Sequence, residues 1–153
     1  YQFPKRDGFP PVKIVWHDGK RVPERPAELE ANRQMGDHFG GTLYIGNKGK
    51  IMTGGLGDGV RLIPEKAMQA YKRPSATLPR SSGHYQEFID ACKGGQPAGA
   101  NFSYSGPLTE AVLLGNVALR TPGERLEWDP NKMAVTNMAA ANAFISSEDR
   151  IEW

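Results

Sequence analysis

Period-two alternation opens the chain. In "PPVKIVWHDG", Val12, Ile14 and Trp16 alternate with Lys13, Val15 and His17, and Asp18-Gly19 closes the run as a turn. This predicts a strand. From Lys20 to Gly41 no clean period follows. "ERPAELEANRQMGD" offers a short helix near Ala27 to Gln34 inside a long excursion, and excursions of that length are uncommon unless functional or packed on a neighbour. "TLYIG", "NKG" and "KIMT" then read as a hairpin, with "VRLI" as a further strand. Pro64 opens a short helix through "EKAMQAY", because proline suits a first helical turn.

Helical spacing is clearest in "GHYQEFIDACKGG". Tyr85, Phe88, Ile89 and Cys92 fall at i, i+3, i+4 and i+7, with Gln86, Glu87, Asp90 and Lys93 on the other face. Gly94-Gly95 and Pro97 end it. "SGPLTEAVLLGNVALRTPG" predicts a longer helix entered through Pro107, apolar almost all round and therefore centrally buried. "RLEWD" and "KMAVTN" complete the sheet about an Asp129-Pro130-Asn131 turn, and a last helix, "MAAANAFI", precedes the tail "EDRIEW". Strands, then helices, then strands predict an α+β fold: an open-faced, largely antiparallel sheet with helices packed on one face, in one domain over residues 1–153. Such a sheet leaves its other face solvated or paired. Trp16, Tyr44 and Trp128 belong either to that face or to the core beneath the helices.

Composition narrows the function classes. A charged fraction of 24% and a hydrophobic fraction of 39% are ordinary for a globular protein. No apolar run approaches the roughly 20 residues that span a bilayer, so no membrane partner is expected, and the start of the chain lacks a signal-peptide pattern. Beginning at Tyr1 rather than methionine, the chain reads as a processed product or a fragment, and its compartment, cytoplasm or periplasm, is not encoded in it. A net charge of +2 gives no footing for nucleic acid. The cations of "YKRPSATLPR" read as a solvated loop. A single cysteine, Cys92, excludes an intrachain disulfide framework, and its place on an apolar stripe predicts a small buried hydrophobe rather than a nucleophile.

The run "GNKGKIMTGGLGDGVRLIPE" raises the question of a nucleotide site. Gly55, Gly57 and Gly59 are spaced G-x-G-x-G, and "VRLIPE" follows where a dinucleotide fingerprint needs G-x-G-x-x-G and a helix. No Gly-Lys-Ser/Thr follows either. The glycines therefore predict turns, not a phosphate cradle. His17, His38 and His84 show no zinc-site spacing, and no G-x-S-x-G elbow is present. His84 differs from the other two because it stands at the start of the clearest helix, just after Arg80, Ser81 and Ser82. Arginine, hydroxyls and imidazole at a helix entrance can contact a phosphate, carboxylate or sugar. The alternative is local capping by Ser81 or Ser82 with His84 exposed.

The ordered series "FPPVKIVWHDG", "GTLYIGNKGKI", "RLIPEKAMQAYKRPSATLPRSSGHYQEFIDACKGGQPAGANF", "GPLTEAVLLGNVALRT", "RLEWD" and "MAVTN" resembles the C-terminal domain of bacterial-type Gfo/Idh/MocA oxidoreductases. The resemblance spans essentially the whole chain and is most specific from Tyr71 to Leu126. It implies an N-terminal Rossmann domain that binds NAD or NADP, outside this sequence. It also implies a C-terminal domain that completes a site for a small carbohydrate and forms a homo-oligomer interface. Arg80 and His84 would be substrate-binding. The family's nucleotide fingerprint, Glu-Lys-Pro lysine and catalytic histidine have no counterpart here: "PEKA" at Pro64 to Ala67 has alanine after Glu65-Lys66. No catalytic, cofactor-binding or metal residue is therefore assigned to this chain. Two alternatives remain, a domain of an NAD-dependent glycosidase of the same family and a non-catalytic binding or scaffold module.

Overall fold

The computed structural model describes residues 1–146. The chain packs as two compact units, Tyr1–Ala76 and Thr77–Trp153. Its architecture is α+β, with small, open, antiparallel sheets and a few helices. Among the described residues no helix is long and apolar enough to cross a membrane.

In the first unit, β1 (Gln2–Phe3) pairs with β2 (Val12–Lys13). The alternating run that begins at Pro10 is thus a strand only where it finds this partner. Val15 and Trp16, beyond it, are exposed. The main sheet is β3 (Gly41–Gly46), β4 (Gly49–Gly54) and β5 (Arg61–Ile63), in that order. Asn47-Lys48 make a two-residue turn between paired Gly46 and Gly49. Register places Leu43, Met52 and Ile63 on one face and Tyr44, Ile51 and Leu62 on the other. The first face is covered by the excursion: Leu29, Met52 and Ile63 form a buried cluster, with Met35 and Leu43 against it. On the second face Tyr44 and Ile51 stay exposed.

The excursion contains no helix at 27–34. It is a series of turns held by polar contacts instead. Arg25 donates to the backbone carbonyls of Glu30 and Arg33. A Glu30 carboxylate oxygen accepts the Glu65 N–H at 2.6 Å, and Glu65 pairs with both Arg33 and Arg61. Glu65 opens α1 (Glu65–Ala70), so these pairs tie the excursion to the helix that follows β5.

The second unit carries α2 (His84–Cys92), α3 (Phe102–Arg120), β6 (Trp128–Asp129), β7 (Ala134–Val135) and a 3-10 helix at Ala139–Phe144. Among the described residues β6 and β7 pair with each other alone, so they form a separate two-stranded sheet rather than completing the first. α3 begins five residues before Pro107, because the Asn101 side chain caps it by accepting the Ser103 N–H at 3.0 Å. Pro107 sits inside the helix, past its first turn, where the Ser103 carbonyl is left without its i→i−4 donor. α3 is not buried all round: only Val117 is, joined by Val135 and Ala141 and lined by Leu114, Leu126, Trp128, Met138 and Ile145. Trp128 belongs to this core, and its indole N–H donates to the Glu110 carboxylate. The tail "EDRIEW" lies outside the described residues.

Candidate functional site

The residues that sequence reasoning singled out lie in the second unit. Residues 77–84, which include Arg80 and His84, are exposed throughout. α2 starts from Gly83, whose φ of 110° lies in a region that glycine adopts far more readily than other residues. The Gly83 carbonyl accepts the Glu87 N–H at 2.9 Å, and Gly83 itself donates to the Ser81 hydroxyl oxygen at 3.0 Å. Ser81 thus secures the residue that caps the helix and leaves the helix's first amides without a side-chain acceptor. The His84 ring meets Tyr85 edge-on, with centroids 5.4 Å apart. Arg80 and His84 are therefore free of the core, presented by a loop and a first helical turn whose geometry Ser81 and Gly83 set.

Glu87, one turn along α2, adds a second tie. Its carboxylate accepts the Gly99 N–H at 2.9 Å, bridging the loop between α2 and α3 to the helix entrance. The Ser81 hydroxyl, the Gly99 amide and the charge of His84 hold its carboxyl below the ordinary glutamate value, against the opposing effect of burial. Sequence reasoning placed Glu87 only on the polar face of α2. A capping box places the acid three residues after the hydroxyl; here Ser81 and Glu87 are six apart, and no local pattern links them.

Beside this lies an apolar groove of about 350 Å³, lined by Phe88, Ala91, Cys92, Pro97, Ala98, Ala100, Asn101 and Phe102. Cys92 is exposed rather than buried, because none of the described residues of its unit covers the apolar stripe of α2. Tyr85 is 83% exposed and Phe88 65%.

The glycine run behaves as turns. Gly54 donates to the Asp58 carbonyl at 2.8 Å and Gly57 to the Gly54 carbonyl at 3.1 Å. Gly55 donates to the Asp37 carboxylate at 3.2 Å. These amides are spent on the chain's own acceptors, and β5 follows where a phosphate-binding helix would start. His17 and His38 are exposed, and His38 lies against Phe39 with ring centroids 3.8 Å apart.

Glu28 and Glu30 in the first unit are also held below the usual glutamate range. The cause for Glu28 is chiefly the Lys50 ammonium, and for Glu30 chiefly the Glu65 N–H. A lowered folded-state value means stability that is complete above the ordinary value of about 4.5 and is lost as pH falls through the folded value. Thermal melts should thus show a lower midpoint at pH 3 than at pH 6, with a shallower dependence in Glu30→Gln. A midpoint unchanged between those pH values would refute these ties.

No protein-family model matches the chain, and no curated protein is significantly similar to it.

Proposed function

We propose that this chain is the substrate-side and oligomerisation domain of an NAD(P)-dependent oxidoreductase of the Gfo/Idh/MocA type, acting on a sugar, polyol or glycoside. The observation that carries the reading is the segment "PRSSGH". It holds a cation, hydroxyls and an imidazole exposed at the entrance of a nine-residue helix, in the most specific part of the resemblance. The chemistry is hydride transfer between nicotinamide and a hydroxyl-bearing carbon. The cofactor is held by a Rossmann domain of the same polypeptide, whose lysine and histidine assist proton transfer. This chain supplies a wall of the pocket, with Arg80 and His84 binding substrate oxygens.

Two features support a role inside a larger assembly. The apolar stripe of α2 is left uncovered by the described residues of its unit, and the second face of the β3–β5 sheet presents Tyr44 and Ile51 to solvent. That sheet face is the surface we assign to homo-oligomer contact, and a strictly monomeric sedimentation profile at tens of micromolar would remove the assignment.

The deciding experiment has two arms. The intact polypeptide, incubated with NAD or NADP and a panel of sugars and polyols, should form reduced nicotinamide. This chain alone should bind neither dinucleotide in calorimetry, since it lacks the fingerprint and the ribose-binding acid. Micromolar dinucleotide binding by the chain alone would overturn the assignment. Glycosidic cleavage without net nicotinamide reduction would identify the glycosidase alternative, and an intact protein lacking the upstream lysine and histidine would point to a scaffold.

A further inference from the structure

We propose that β3 is an open sheet edge that pairs antiparallel with β3 of a second copy of this chain, Tyr44 beside Tyr44 at a twofold axis. The inference concerns the first unit alone and does not rest on the substrate-side reading. It starts from the parity of the ladder. A two-residue turn makes its closing pair, here Gly46 and Gly49, a hydrogen-bonded one, and alternate pairs of an antiparallel ladder are bonded. Tyr44–Ile51 and Thr42–Thr53 are therefore bonded as well. The N–H and C=O groups of Leu43 and Ile45 point the other way, out of the sheet edge. Two neighbouring bonds agree with this parity. Gly54 turns its N–H away from β3 to the Asp58 carbonyl at 2.8 Å, and Leu62 turns its own away from β4 to Met68 Sδ at 3.4 Å. Among the described residues no strand lies beyond β3, and no turn or loop backbone bonds Leu43 or Ile45.

Exposed edges are templates for pairing, and proteins blunt them with lysine, proline, bulges or short length. β3 has none of these. "GTLYIG" runs six residues without a charge, a proline or a break in register, and Ile45 is 71% exposed. The opposite edge is guarded: β5 has three residues, carries Arg61 and runs into Pro64. A second copy fits the open edge because the strand is complementary to itself. Centred on Tyr44, an antiparallel pair sets Leu43 of each copy against Ile45 of the other, which completes four N–H to C=O bonds and covers both apolar side chains. Centring on Leu43 would leave Ile45 opposite Gly41, with no side chain to cover it. The charges are complementary too. Antiparallel pairing brings the Asn47-Lys48 turn of one copy alongside the Asp37–Gly40 turn of the other, cation toward carboxylate, at both ends. An edge about 20 Å long covers less than the roughly 800 Å² per partner of a standard interface, so the dimer should dissociate in the micromolar range.

The test is a pair of cysteine variants of the chain in a Cys92→Ser background, so that the exposed native thiol takes no part. Tyr44→Cys puts its two thiols across the axis, where facing non-bonded residues stand about 4.5 Å apart between Cα atoms, within disulfide reach. Mild oxidation should convert most of this variant to a covalent dimer. Ile51→Cys lies one strand further in on each copy, about 15 Å from its equivalent, and should stay uncrosslinked. Ile45→Pro removes an outward N–H and spares the bonds to β4, at a place where edge strands tolerate proline. It should weaken dimerisation at least tenfold in sedimentation. If Ile45→Pro does not fold, the cysteine pair decides. Equal crosslinking of Tyr44→Cys and Ile51→Cys overturns the edge contact in favour of the sheet face. Crosslinking of neither, or a folded Ile45→Pro that dimerises like wild type, overturns it outright, and none of these outcomes bears on the substrate-side reading.

Discussion

Gly36→Ala should lower the melting temperature of the first unit by about 12 °C or more, the equivalent of about 3 kcal/mol or more in a domain of this size. Gly36 has φ +70°, and a Cβ there would collide with the Gly40 carbonyl, whose carbon would be 2.8 Å away. The three nearest atoms it would meet are all backbone, so no side chain can swing aside to relieve them. The damage would spread along a defined route. Gly40 and Asp37 exchange backbone hydrogen bonds of 2.7 and 3.0 Å, and Asp37 also holds the Phe39 and Gly55 amides. Met35, the residue before Gly36, packs on the Leu29, Met52 and Ile63 cluster. A methyl group at position 36 therefore strains the excursion where it is fastened to the sheet. Gly8→Ala is the control: its φ is +76°, but nothing lies within 4 Å of the added Cβ. It should cost only the left-handed penalty of about 1–2 kcal/mol. Calorimetric melts of the two variants check the difference, and equal midpoints would show that the Gly36 contact is not what holds the excursion.

This excursion was the least legible part of the sequence. Its order comes from side chains reaching across up to 35 residues, as Glu30 does to the Glu65 amide, and no window of periodicity reports such a tie. The hairpin was legible because its information is local, alternation on both arms about a polar turn; the structure shortens that turn from "NKG" to Asn47-Lys48, because Gly49 pairs with Gly46. α2 was legible for the same reason. Its apolar spacing correctly gave the face, but a face is not a partner. Cys92 and Phe88 fall on the predicted stripe and are exposed, because covering a stripe depends on elements that the stripe does not encode. The start of α3 was misplaced by a competition between two local signals, Pro107 and Asn101. The asparagine won because its side chain satisfies a free amide, whereas proline merely tolerates the position. At the candidate site, Arg80 and His84 were visible from their place just before and at the start of a helix. Glu87 was hidden among the polar residues of α2, since its partner, the Gly99 amide, lies in the loop after the helix.

Arg80→Ala and His84→Ala should each reduce kcat/KM of the intact enzyme about tenfold or more, while the chain melts within a few degrees of wild type. The first half follows from the proposed contact, since a polar or charge-assisted hydrogen bond to a substrate oxygen is worth about 1.5–3 kcal/mol, and 1.4 kcal/mol is a factor of ten. The second half follows from exposure. Neither residue belongs to the Val117, Val135 and Ala141 cluster, and the backbone that presents them is held by Ser81, Gly83 and Glu87. His84→Ala also keeps a good helix former at the first position of α2. The two halves separate the alternatives left open by the sequence. If the segment only starts the helix, both variants lose stability and any folded enzyme keeps wild-type kinetics. If it binds substrate, both keep their melting temperature and lose catalytic efficiency. Arg80→Lys sharpens the distinction, because lysine keeps the charge but not the planar donor pair. It should recover only part of the loss if the guanidinium grips one substrate through two hydrogen bonds, and nearly all of it if a positive charge alone is required.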